Sequence, residues 1–198
     1  GGAGSYVLRW TISNSPCTPS TSDVTITVNA NPTTASAGSP QTICDGDGAT
    51  MGANTPTIGT GAWSVVSGPS TSSAQFAGIS DPVTVFTPTA AGSYVLRWTI
   101  SNSPCTPSTS DVTITVNPQP TTSNAGGPQT ICNGSGATLA ANTAGPGTGA
   151  WSIVSGPSTN TSQFSSLVLP GAIFTPIGGV GDYILTWRIS NSPCTPSF

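Results

Sequence analysis

Residues 3–29, AGSYVLRWTISNSPCTPSTSDVTITVN, recur letter for letter at 91–117, 88 positions later. A diverged copy of the first part, GDYILTWRISNSPCTPS, occupies 181–197. Self-similarity at a fixed period constrains a chain more than any single motif, because the unit that repeats must be the unit that folds. The expected organisation is therefore the last two strands of a truncated repeat at 1–29, a complete β-sandwich repeat at 30–117, and a β-sandwich repeat lacking its last strand at 118–198. A unit of about 88 residues matches a small β-sandwich. Its core is thin enough that a crosslink would help it.

The strands show in the alternation. In SYVLRWTIS, Tyr94, Leu96, Trp98 and Ile100 share one face, and Val95, Arg97, Thr99 and Ser101 the other. That period of two belongs to a strand. The diverged copy keeps it: Tyr183, Leu185, Trp187 and Ile189 repeat the apolar face. Its arginine moves two positions along, to Arg188, and stays on the polar face. DVTITV places Val112, Ile114 and Val116 on one side and threonines on the other, the pattern of a half-buried strand. PQTIC, Ala49 to Asn54, AWSVVS and PVTVFTP read as further strands, with turns about every ten residues. The fold class is all-β: tandem antiparallel sandwiches of about 88 residues each. The Pro- and Thr-rich stretches NANPTTASAG and NPQPTTSNAG read as stiff linkers.

Composition closes off several functions. Three Arg, six Asp and no Lys, Glu or His make the chain 5% charged, with a net charge of −3. No basic patch exists to hold nucleic acid, and no apolar run reaches the ~18 residues of a membrane helix. Catalysis near neutral pH needs groups that titrate there. His, Lys and Glu are all absent, so the chain is read as non-enzymatic, with no cofactor.

Few residues invite a chemical role. Asp45 and Asp47 form the one close carboxylate pair, in a Gly-rich turn, and are a weak calcium candidate. Hard cations want several oxygen ligands, and the next repeat has Asn133 and Ser135 at those positions. Trp63, Trp98, Trp151 and Trp187 sit among alternating apolar residues, which marks them as core rather than a sugar platform. The arginines on the polar face read as solubilising groups that discourage edge pairing.

The pattern AG.PQTIC.G.GATL.AN, GTGAWS(V/I)VSGPS, FTP, Y.L.W.ISNSPC and DVTITV resembles the PKD-like and immunoglobulin-like tandem repeats of Bacteroidota cell-surface and secreted proteins. The resemblance covers the whole chain. It implies export to the cell surface or beyond, commonly by type IX secretion, and long arrays that serve as stalks, adhesins, filaments or spacers.

The five cysteines fall in two contexts: Cys44 and Cys132 in QTIC, and Cys17, Cys105 and Cys194 in SNSPC. Paired cysteines in a charge-poor small domain favour disulfides and an oxidising, extracellular location. The simple pairing lies inside each repeat, Cys44–Cys105 and Cys132–Cys194, with Cys17 bonded to a cysteine outside the chain. Each bond would close a loop of about sixty residues and add about 2–4 kcal/mol. In a seven-strand immunoglobulin topology, however, the two contexts lie at opposite ends of the sandwich, while bonded Cα atoms must come within ~7 Å. The alternative is a head-to-tail staple, Cys44–Cys194, that leaves Cys132 to pair beyond the chain.

The expected function is a structural repeat segment of an extracellular fibre, filament or surface stalk. Its partners would be copies of itself or neighbouring repeats, end to end. Two alternatives remain open. One is an adhesin or glycan-binding module acting through the loops at 68–80 and 156–168, where the repeats differ most. The other is a spacer in a large secreted enzyme. The flanking strands that each end lacks are expected from a longer polypeptide, with donation by a neighbouring chain as the other route.

Overall fold

A computed structural model describes residues 2–198. Twelve strands and two short 3-10 turns make up the regular structure of those residues. The chain forms two compact units. The first comprises the chain through Pro40 with Ala49–Thr87 and Tyr94–Thr113; the second comprises Gln41–Gly48, Pro88–Ser93 and Ile114–Phe198. The strand-and-turn segment at 41–48 thus clusters with residues of the following sequence repeat.

The N-terminal hairpin pairs β1 (Gly4–Ile12) with β2 (Ser20–Val28), antiparallel, with Trp10 opposite Ser22. Its duplicate is built into a four-stranded sheet. There β5 (Thr60–Ser67), β7 (Gly92–Ser101) and β8 (Ser108–Asn117) follow in order, with β3 (Gln41–Cys44) outermost on β8. Alternation along β7 is complete: Tyr94, Leu96, Trp98 and Ile100 are fully buried and the residues between them are not. On β8, Val112, Ile114 and Val116 are buried in the same way. Identical sequence in β1 and β2 leaves Tyr6, Leu8, Trp10, Ile12, Val24, Ile26 and Val28 exposed, Trp10 at 72%. The side chains are the same; a packed layer over them is what differs.

β4 (Ala49–Thr50) and β6 (Val85–Phe86) form the facing pair of the first unit. Both are two residues long, shorter than the runs Ala49–Asn54 and PVTVFTP suggest. In the second unit, β9 (Ala137–Thr138) pairs with β11 (Ile173–Phe174), and β10 (Thr148–Ser155) with β12 (Ile184–Ser190). One pairing departs from the antiparallel expectation: β3 runs parallel to β8, with Cys44 opposite Asn117. Gln129–Cys132, the copy of β3, is not a strand and is exposed throughout.

An aromatic chain fills each core. Trp63 lies 5.2 Å from Trp98 and 5.9 Å from Phe76, with Phe76–Phe86 at 5.1 Å and Phe86–Tyr94 at 5.2 Å, edge on. The second unit repeats every link, through Trp151, Trp187, Phe164, Phe174 and Tyr183, at 5.0–6.2 Å. Such offset and edge contacts are each worth about 0.5–1.5 kcal/mol beyond burial. Gly61 and Gly149 make room for this arrangement, because a Cβ at either would run into the ring of Trp98 or Trp187. The indole N–H groups are mostly satisfied: Trp63 donates to Asp81 O at 3.2 Å, Trp151 to Leu169 O at 3.0 Å and Trp187 to Asn142 O at 3.1 Å. Trp98 Nε1 is buried without a partner.

Candidate functional site at the cysteine turn

The SNSPC segment folds into the same turn three times. The amide of Cys17 donates to Asn14 O at 2.8 Å, that of Cys105 to Asn102 O at 2.9 Å, and that of Cys194 to Asn191 O at 2.8 Å. The turns of Cys105 and Cys194 then dock on the backbone just after a DVTITV strand. Asn191 Nδ2 donates to Pro118 O at 2.8 Å, and Asn117 Nδ2 donates back to Ser192 O. The same reciprocal pair holds the other turn: Asn102 Nδ2 to Ala30 O at 2.7 Å and Asn29 Nδ2 to Ser103 O at 2.9 Å. Cys194 Sγ lies 3.5 and 3.4 Å from Asn117 O and Pro118 O. Cys105 Sγ lies 3.6 and 3.3 Å from Asn29 O and Ala30 O. Two turns of one sequence therefore present their sulfurs to equivalent backbone.

Only one of them is bonded. Cys44 and Cys194 form a disulfide with Cα atoms 4.9 Å apart, across 150 residues. The pairings inside a repeat, Cys44–Cys105 and Cys132–Cys194, are absent, and the head-to-tail alternative is the one present. The cause is where β3 pairs along β8. Running parallel to β8, it delivers Cys44 to the far end of that strand, opposite Asn117. Cys105 belongs to the turn before the strand begins. Ten residues of β8 lie between, about 30 Å at ~3.3 Å per residue, several times the Cα span of a disulfide. Cys17 and Cys132 are exposed free thiols, and Cys105 is a half-buried one.

The other candidate residues fall elsewhere. Trp63, Trp98, Trp151 and Trp187 are buried at 0–3% exposure. Asp45 and Asp47 lie in the turn after β3, where the Asp45 amide donates to Asn117 O at 2.7 Å and the Asp45 carbonyl accepts from Gln119 Nε2 at 2.8 Å. Among the described residues no three carboxylate, cysteine or histidine groups gather as a metal would need. Arg97 is not a free surface cation: its guanidinium grips Asp111 with two bonds of 2.7 and 2.8 Å. The hydrogen bonds to Arg97 hold the Asp111 carboxyl below the usual range, and burial opposes them weakly. Arg9 and Asp23 repeat the pair.

The loops at 68–80 and 156–168 differ in sequence but share one scaffold. Each carries a 3-10 turn, Ser73–Gln75 or Thr161–Gln163, capped by the side chain of Ser72 or Asn160. A buried glutamine amide ties each loop to its own carbonyls: Gln75 Nε2 to Ser72 O at 2.9 Å, Gln163 Nε2 to Asn160 O at 2.9 Å and Ser158 O at 3.0 Å. Neither glutamine was singled out from sequence, although both stand in a repeated Gln-Phe pair. Among the described residues no helix is long and apolar enough to cross a membrane.

No family model matches the chain, and no curated protein matches it. Solved structures do. The three-domain titin fragment I67–I69, in an E-to-A mutated variant, is similar at 15% identity, covering 98% of this chain and 72% of its own, with a TM-score of 0.54. The I-band fragment I67–I69 from titin gives 15% identity, 98% and 71% coverage and a TM-score of 0.52. A protocadherin gammaB7 EC3-6 structure matches at 15% identity and a TM-score of 0.39, and this chain spans 57% of its length. The titin likeness shows the fold: an all-β, immunoglobulin-like chain.

Proposed function

We propose that this chain is a structural repeat segment of an extracellular fibre, filament or surface stalk, without catalytic activity. The observation that carries the reading is the Cys44–Cys194 bond. It ties the first strand of one sequence repeat to the cysteine turn of the next. A bond placed across a repeat boundary makes successive repeats covalently continuous at a second point besides the backbone. That suits a part that bears load and lasts outside the cell, where disulfides persist. Scarcity of charge suits it too, since three arginines and no lysine offer few sites to basic-specific proteases. In tandem arrays length follows from copy number. The resemblance to PKD-like repeats of Bacteroidota surface proteins supports the same location.

Electron microscopy of the oxidised protein tests this. Thin beaded rods with a rise of about 35–40 Å per repeat, as expected from strand length, support it. Compact particles of unit height would end it.

An adhesive role remains the second reading. It is favoured by one observation: Leu167 and Val168, at the end of the second variable loop, and the adjoining Leu169 are exposed, where the first loop offers Ile79. Glycan-array binding that disappears on replacing residues 166–169 is the outcome this reading requires.

A further inference from the structure

The segments that follow the two 3-10 turns share a scaffold and differ in chemistry. In the second repeat the Trp151 amide donates to Leu167 O at 2.8 Å. Leu169 O accepts from Trp151 Nε1 at 3.0 Å and from the Ala172 amide at 3.1 Å, and the Ala141 amide donates to Pro170 O at 3.3 Å. The first repeat makes the same four bonds: from the Trp63 amide to Ile79 O, from Trp63 Nε1 and the Thr84 amide to Asp81 O, and from the Ala53 amide to Pro82 O. What those bonds hold is Ile79-Ser80-Asp81 in one repeat and Leu167-Val168-Leu169 in the other. All six residues are exposed, the last three at 39, 67 and 60%. The scaffold thus accepts Ser and Asp at the second and third positions, and packing does not account for Val168 and Leu169.

Contiguous apolar surface in water marks a place that meets something. Three observations say what. Three partly exposed aliphatic side chains offer on the order of 300 Å², against the ~800 Å² per partner of a standard protein interface. A protein partner, or a second copy, would need more than this segment provides. The backbone of the segment is also occupied. The carbonyls of Leu167, Leu169 and Pro170 accept the bonds above, the amides of Val168 and Leu169 donate to Ser166 Oγ at 3.3 and 3.2 Å, and Pro170 has no N–H to place. Unpaired backbone is what bars loops from a hydrocarbon phase. Charge is absent as well: no charged residue occurs between Asp111 and Asp182, so approach to an apolar phase strips water from no ion on this stretch.

We infer that Leu167, Val168 and Leu169 form a docking site for the surface of a zwitterionic lipid bilayer. The three side chains enter the boundary between headgroups and acyl chains, as the apolar face of an interfacial helix does, and Ser166 holds the backbone that carries them. Attachment rests on apolar burial alone, so it is reversible and insensitive to salt. Copies of the site along an array add to one another through effective concentration. The first repeat, with Ser80 and Asp81 on the same scaffold, does not dock. The inference goes beyond the fibre reading, since a rod and a lipid contact are separate properties of one chain.

Vesicle flotation tests it, using the full chain with its free thiols alkylated and phosphatidylcholine vesicles at millimolar lipid. The chain should float with the vesicles to the same extent at low and high salt. Val168→Ser combined with Leu169→Asp copies the first repeat onto the second and should weaken binding at least tenfold, because burial of one aliphatic side chain is worth about that factor. Its thermal unfolding should match that of the unaltered chain. The reciprocal pair, Ser80→Val with Asp81→Leu, supplies a second site and should at least double the fraction bound at limiting lipid. Absence of flotation, flotation that the Val168 and Leu169 variant retains, or flotation confined to anionic vesicles and lost in salt overturns the inference. A dimer in lipid-free sedimentation that the same variant abolishes also overturns it, because the occupant would then be a second copy. Glycan binding lost in that variant, without flotation, does the same. None of these outcomes touches the rods expected by microscopy, so failure here is distinguishable from failure of the fibre reading.

Discussion

Mechanical loading separates a disulfide that spans the chain from one that staples a single repeat. Pulled from its ends, the oxidised chain has Cys44 and Cys194 joined with Cα atoms 4.9 Å apart, and the 150-residue stretch between them lies outside the load path. Unfolding can then release only the residues ahead of Cys44 and the last few after Cys194. That is about 150 Å of contour at ~3.3–3.6 Å per residue. Reduction opens the loop and adds 150 residues, or about 500–540 Å by the same measure, against which the 4.9 Å already spanned is negligible. Single-molecule force spectroscopy reads this directly, on protein whose three free thiols have first been alkylated. Oxidised molecules should extend by the short length only. Reduced molecules, or a Cys44→Ser variant, should extend by the additional half-thousand ångströms in several steps. Equal total extension before and after reduction would refute the head-to-tail bond. Two separate gains near 210 Å, each the length of a loop of about sixty residues and about 420 Å together, would instead restore the pairings inside each repeat.

Four further outcomes follow from named contacts. Cys194→Ser should lower the unfolding free energy by up to about 5 kcal/mol, the chain-entropy value for so long a loop, in urea titrations compared with reduced wild type, which should match it. Trp187→Phe should cost about 1 kcal/mol more than Trp98→Phe in the same titrations, because only Trp187 surrenders a hydrogen bond, to Asn142 O at 3.1 Å. Gln163→Ala should cost about 3 kcal/mol, since it removes two bonds donated by Nε2 and the one Oε1 accepts from the Ile177 amide at 2.9 Å; a loss below 1 kcal/mol would mean water replaces the amide. The Asp111 carboxyl is lowered in the folded state by its hydrogen bonds to Arg97, so its stabilisation is present above the unfolded value of about 4 and fades as pH falls through the folded value. The melting temperatures of wild type and Asp111→Asn should therefore converge on acidification below pH ~4, and a gap that widens there would contradict the pairing.

What the sequence revealed and what it hid follow one physical line. Tyr94, Leu96, Trp98 and Ile100 were legible because side-chain direction in a strand has a period of two, and burial imposes that period on the letters. The diverged third copy moved its arginine by two positions and kept it off the apolar face, at Arg188. The 3-10 turns at Ser73–Gln75 and Thr161–Gln163 span three residues each, too few to show any period. Their anchors, Gln75 and Gln163, are polar residues buried for their hydrogen bonds, and hydropathy reads such residues as surface. β4 and β6 came out shorter than their apolar runs because a run records burial, while a strand also needs a neighbour to bond.

Strand direction and register are the properties the letters carried least, and together they decided the cysteines. Gln41–Cys44 would read the same whether it ran parallel or antiparallel to β8, since alternation has no sense of direction. Antiparallel pairing over the same stretch would have put Cys44 opposite Ile114, still six residues, or about 20 Å at ~3.3 Å per residue, past the start of β8 and beyond reach of Cys105. Parallel pairing carries it to Asn117, within reach of the turn that Asn191 anchors to Pro118. Pairing with the last four residues of β8 thus takes Cys44 away from the turn of its own repeat, and parallel direction sets it beside the turn of the next.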